Sequence, residues 1–188
     1  MDKPSKITLA SLIFDIAFAI YYLTVGLISS SWWLLTLATY YLILSIVRFV
    51  VLRSKSKNRF ITKFTGWMLI ALSIPLAGTV ILSVVRDRGH VFSIVVMLVM
   101  AIYSFTKITL STINLIKSRR SSSTFLIALR NISFADAFVS IFALQRSMLT
   151  SFEGMNVSEI VIMNSVVGSV ICIMVFLLGL NLLKKSLV

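Results

Sequence analysis

The chain has 188 residues, 59% of them hydrophobic and 13% charged, with a formal net charge of +12. A mean hydropathy of +1.02 excludes an ordinary soluble domain, in which apolar and charged residues are mixed far more evenly. So large an excess of base would suggest a nucleic-acid partner in a soluble protein. Here the basic runs lack interleaved aromatics and no soluble domain is left to present them, so no nucleic-acid binding is expected.

Six apolar segments follow one another, at about 7–30, 32–52, 66–85, 91–116, 124–149 and 160–183. Each approximates the roughly 20 residues that cross a hydrocarbon layer about 30 Å thick. They are too long and too uniformly apolar for barrel strands, and in lipid a helix satisfies its own backbone. The expected architecture is all-α: one polytopic bundle of six transmembrane helices filling residues 1–188, with the lipid bilayer as its surroundings.

The first segment follows Lys3 and Lys6 and has no small-residue cleavage site after it, so it reads as a retained anchor. Ser11, Asp15, Tyr22, Gly26 and Ser29 recur along it at helical spacing and share one face. An uncharged Ser29-Ser30-Ser31 loop leads to the second segment, which opens on Trp32 and Trp33 and carries Arg48 near its far end. Trp32, Trp33 and, on the third segment, Trp67 fit anchoring at the membrane interfaces. Pro75 interrupts the third segment, with Ser73 and Thr79 near enough to satisfy a freed carbonyl.

The fourth segment has a polar stripe of Ser93, Met97, Met100, Ser104, Lys107, Ser111 and Asn114, and the fifth has Arg130, Ser133, Asp136, Ser140 and Ser147. In the sixth, Gly168 and Cys172, Ser165 and Ser169, and Gly179 make rows of small residues. These suit close packing within the bundle, against a second protomer or against another membrane subunit.

Positive charge alternates between the connecting loops. Lys3 and Lys6; Arg53, Lys55, Lys57, Arg59 and Lys63; Lys117, Arg119 and Arg120; and Lys184 and Lys185 fall on one side. Arg86, Asp87, Arg88, Gly89 and His90, and later Glu153 and Glu159, fall on the other. The positive-inside rule then places both termini in the cytoplasm.

Asp15, Arg48, Lys107, Arg130 and Asp136 remain inside the apolar segments. An Asp, Lys or Arg at a helix centre costs about 2.5–3.5 kcal/mol, against about −0.3 to −0.6 kcal/mol for each Leu, Ile, Phe or Val. On that scale the fifth segment gains roughly 5 kcal/mol and Arg130 with Asp136 cost up to about 6 kcal/mol, so it depends on neighbours that accept its polar face. Asp15 and Asp136 are expected to pair with Arg130 and with either Arg48 or Lys107. One base would then be in excess, favouring an anionic solute. Asp15, Tyr22, Ser104, Lys107, Arg130 and Asp136 are the candidate solute-binding residues. The competing readings are that the stripes are helix contacts and that Arg48 and Lys107 reach back to the headgroups.

No catalytic constellation, cofactor or metal site is expected. His90 is the one histidine, the acids are scattered, no glycine-rich phosphate loop occurs, and Cys172 has no partner thiol.

The stretches Tyr40–Arg53, Asn114–Arg120, Leu144–Phe152 and Met163–Gly168 resemble segments of a functionally unassigned group of small multi-span membrane proteins from Gram-positive bacteria. The resemblance runs from the second segment to the sixth and implies a bacterial plasma-membrane location. In length and helix number the chain is also similar to the substrate-binding subunits of energy-coupling-factor vitamin transporters. Ala10, Ala17 and Ala19 do not reproduce the docking-face spacing of that group. The functional expectation is a small-solute transporter, channel or solute-binding transport subunit. The alternative is an accessory, sensor or structural subunit whose buried charges only hold the helices together.

Overall fold

The computed structural model describes residues 3–54, 58–85, 94–118, 124–151 and 156–187. Lys55, Lys57, Arg86, Asp87, Arg88, Gly89, His90, Ser93, Arg119, Arg120 and Glu153, which the sequence assigns to loops or segment ends, lie outside the described residues. The described chain is all-helical: α1 Lys3–Ile28, α2 Trp32–Arg53, α3 Asn58–Val85, α4 Ile94–Ser118, α5 Thr124–Ser151 and α6 Val157–Leu187. Among the described residues five stretches are long and apolar enough to cross a membrane: Thr8–Ile28, Trp32–Arg53, Phe60–Val85, Phe125–Ser151 and Val157–Ser186. Their outward faces carry large exposed side chains such as Ile13, Leu27, Ile74 and Ile162, a surface compatible with lipid and costly in water.

Helix and apolar segment do not share the same ends. α3 begins at Asn58, well before the apolar segment at about 66. Intrahelical hydrogen bonding needs no lipid, so the polar flank carrying Lys63 continues the same helix. The helix also runs through Pro75. Ser73 Oγ donates to the Ile70 carbonyl at 2.6 Å and Thr79 Oγ1 to the Leu76 carbonyl at 2.6 Å, so neither hydroxyl serves the Ala71 carbonyl that Pro75 leaves without its usual donor.

The reversal between α1 and α2 is made by three serines. Ser31 N donates to the Gly26 carbonyl at 3.0 Å and Ser30 N to the Leu27 carbonyl at 3.4 Å, the paired bonds of a Schellman C-cap. Ser30 holds φ at +50°, the left-handed conformation that glycine adopts without a Cβ penalty. Ser31, in extended conformation, also starts α2, accepting from Leu35 N at 3.2 Å.

α2 and α5 are the central helices. α2 packs on α1, α3 and α5, while α5 packs on α2, α3, α4 and α6. The helix least able to face lipid thus has the most neighbours. The densest packing of all is between α3 and α6. There a Cβ placed on Gly66 would meet the Gly179 carbonyl at 3.1 Å, and one on Gly179 would meet the Gly66 carbonyl at 3.0 Å. Further along, a Cβ on Gly168 would lie 2.6 Å from Val80 Cγ2, and Cys172 Sγ donates to the Ser73 carbonyl at 3.6 Å. Gly66, Ser73 and Val80 recur every seven residues on α3 and meet Gly179, Cys172 and Gly168 in reverse order, an antiparallel small-residue seam. Ser169, expected in a parallel row, is exposed.

Candidate functional site

Four charged side chains from four helices meet in one buried ring. Asp15 comes from α1, Arg48 from α2, Lys107 from α4 and Asp136 from α5, with relative exposures of 0%, 2%, 8% and 2%. Arg48 Nε lies 2.8 Å from Asp15 Oδ2, and Arg48 Nη2 lies 2.5 Å from Asp136 Oδ2. Lys107 Nζ lies 2.8 Å from Asp15 Oδ1 and donates also to Asp136 Oδ1. Each cation therefore bridges both acids, and each carboxylate divides its oxygens between both cations. The Arg48 Nε–Asp15 contact is close but poorly aligned, since neither atom gains a hydrogen bond from it. The other three contacts are charge-assisted hydrogen bonds.

Aromatic rings wall the ring of charges. The Lys107 ammonium stands 4.4 Å from the centroid of Tyr103 and 5.1 Å from that of Tyr41, within the range of cation–π attraction. Phe18 stacks on Tyr103 at 4.0 Å, and Tyr22 stacks on Tyr41 at 5.7 Å. Phe14 also reaches Tyr103, at 6.0 Å. α1 and α4 thus meet through long side chains and the Asp15–Lys107 bridge more than through close backbone approach.

Hydroxyls tie the neighbouring helices beneath this wall. Ser140 Oγ donates to the Asp136 carbonyl at 2.8 Å and lies 3.1 Å from Tyr41 Oη. Ser104 Oγ donates to the Ser140 carbonyl at 3.1 Å, and Ser111 Oγ to the Ser133 carbonyl at 2.7 Å. These two bonds, one heptad apart on each helix, lock α4 against α5. The buried hydroxyls of Tyr40 and Tyr103 have no hydrogen-bond partner among the described residues, which marks this region as polar beyond what its own contacts use.

Of the six residues singled out in the sequence, Asp15, Lys107 and Asp136 are brought into direct contact. Tyr22 and Ser104 sit in the surrounding wall. Arg130 is half-buried and is not one of the four. Six helical positions place it about 240° around α5 from Asp136 and about 9 Å along it. The ring holds two acids and two bases, so the expected excess of positive charge is absent from it.

Arg48 is the residue that sequence reasoning undervalued, because its stem was long enough to reach the headgroups. The missed signal is the spacing of Tyr41, Ser45 and Arg48, at i, i+4 and i+7, which gives α2 a polar stripe of its own. Trp33 was misplaced in a related way. Trp32 and Trp67 are exposed as interfacial residues would be, but Trp33 is turned inward, 1% exposed, with the Arg146 guanidinium 4.6 Å from its ring centroid. Adjacent helical residues point about 100° apart, so one tryptophan of the pair faces outward and the other inward.

Among the described residues no three His, Cys, Asp or Glu side chains gather as a metal-binding group. Comparison with protein-family models, with curated proteins and with solved structures finds no match to this chain.

Proposed function

We propose that this chain is an integral protein of a bacterial plasma membrane that crosses it six times with both termini in the cytoplasm. Its role is that of a small-solute carrier, channel or solute-binding transport subunit, without catalytic activity. The alternation of basic charge between loops supports the topology.

The ring of Asp15, Arg48, Lys107 and Asp136 carries the functional reading. Helix association in lipid needs small residues and close packing, and α3 with α6 achieves it that way. Replacing a buried ion pair by well-packed apolar groups is often neutral, or stabilising by about 1–4 kcal/mol. Four full charges at one point are therefore an expensive way to join helices, and ionisable groups at such depth mark solute, ion or proton pathways. The two buried tyrosine hydroxyls that have no partner among the described residues add capacity for a polar ligand.

A second reading draws on the closure of the ring: every carboxylate oxygen already faces a cation. That suits an accessory or structural subunit in which the charges only set the register of four helices. The two differ over water. In a Cys172→Ala background, single cysteines at Ser104, Ser111 and Ser140 are treated with a membrane-impermeant thiol reagent in intact cells and in inverted vesicles. A transport pathway gives labelling at these buried positions from at least one side. Complete protection from both sides, with normal expression, removes the transport reading and leaves the structural one.

A further inference from the structure

Resting on the transport reading above, we infer that the solute is a small organic ammonium ion and that the Lys107 side chain is its tethered stand-in. An ammonium has three donors and no acceptor. At Lys107 two of them are taken by Asp15 Oδ1 and Asp136 Oδ1, while the Tyr103 and Tyr41 rings lie beside the charge at 4.4 and 5.1 Å. Carboxylates on one side and aromatic faces on the other form an ammonium-binding cage. The cage is filled by a group on a flexible four-carbon stem.

The two cations are not equivalent. Arg48 reaches the second oxygen of each carboxylate from a 2% exposed position, hydrogen-bonded to Asp136 and in close contact with Asp15. In the proposed cycle it stays between Asp15 and Asp136 when Lys107 leaves. Lys107 is the most exposed of the four, at 8%, and its stem allows it to swing out toward the Phe14–Phe18–Tyr103 side, where α1 and α4 are joined mainly by side chains. With Lys107 withdrawn, the remaining two acids and one base carry one net negative charge, matched to a monovalent cation. A free alkylammonium entering the cage restores neutrality. Its departure draws Lys107 back, which restores the neutral ring.

The test uses the full chain, wild type and Lys107→Met, synthesised into lipid nanodiscs with ethylammonium, guanidinium or sodium chloride at equal ionic strength. Ethylammonium alone is expected to raise the melting temperature of K107M. If that variant does not fold in sodium chloride, ethylammonium alone is expected to restore its yield of monodisperse protein. Wild type is expected to bind ethylammonium saturably but about tenfold more weakly, because the tethered ammonium occupies the cage most of the time and apparent affinity falls with the vacant fraction. Equal responses to all three salts, or no saturable binding to wild type, overturn the assignment. Thiol labelling at S104C and S140C reports the wet route alone. Labelling without an ethylammonium response removes the ammonium assignment and leaves the transport reading; no labelling removes both.

Discussion

α3 and α6 approach each other where side chains are absent, whereas α1, α2, α4 and α5 converge on side chains that lipid would reject. The first seam uses Gly66, Gly179 and Gly168, where a Cβ would lie 2.6–3.1 Å from backbone or branched neighbours. The second uses Asp15, Arg48, Lys107 and Asp136, with an aromatic wall in place of close backbone contact between α1 and α4. Both solve the problem of helix association without a hydrophobic driving force. They respond to change in opposite ways. The glycine seam fails when something is added, and the charge ring fails when something is taken away.

The largest expected effect is on the ring. Asp136→Leu leaves two cations sharing Asp15, and removing one partner of a buried ionic group costs about 3–5 kcal/mol. Thermal unfolding in detergent micelles is expected to show that loss. Adding Lys107→Met to the same chain restores one acid against one base and is expected to recover a large part of it, a coupling that a double-mutant cycle measures. Independent, additive losses would mean that the two residues do not act as one unit.

Next in size is the glycine seam. Gly168→Leu forces a branched side chain against Val80 and Phe142, and overpacking of this kind costs about 1–3 kcal/mol. Val80→Ala should return part of the loss in the double variant, and no salt or amine should do so. Smaller again is Trp33→Leu, which removes the ring beside the Arg146 guanidinium; a desolvated cation–π contact contributes about 2 kcal/mol, read by the same unfolding measurement. The smallest effect has the opposite sign. Ser30→Gly relieves a left-handed residue and is expected to stabilise the chain by about 1 kcal/mol. A fall in melting temperature for S30G would show that the serine side chain matters more than its backbone angle.

How much of this was legible in the sequence follows from what one-dimensional spacing can encode. Segment length and hydropathy mark where the six helices lie, because both properties are local, and among the described residues five of the six are long and apolar enough to cross a membrane. The small residues of α6 are visible for the same reason. Polar spacing within one helix marks Asp15, Lys107 and Asp136. Which helix faces which is a different kind of information, since spacing fixes an angle around a helix but not the neighbour at that angle. Arg130 and Arg48 show the consequence. Both are bases within apolar segments, yet Arg48 stands on the side of its helix that meets the two acids, while Arg130 lies six positions along α5 from Asp136. Trp33 carries the same lesson on a finer scale, as its composition suits an interface and its azimuth puts it under Arg146.

The three-serine reversal joins α1 to α2 so tightly that Asp15 and Arg48 travel as one helical hairpin, already 2.8 Å apart in the finished bundle. α4 and α5 form another neighbouring pair, with Lys107 on one and Asp136 on the other. Each consecutive pair therefore brings its own acid and its own base. Neither ring acid thus depends on the other pair for its first counter-charge, since a base stands on the helix next to it in the chain.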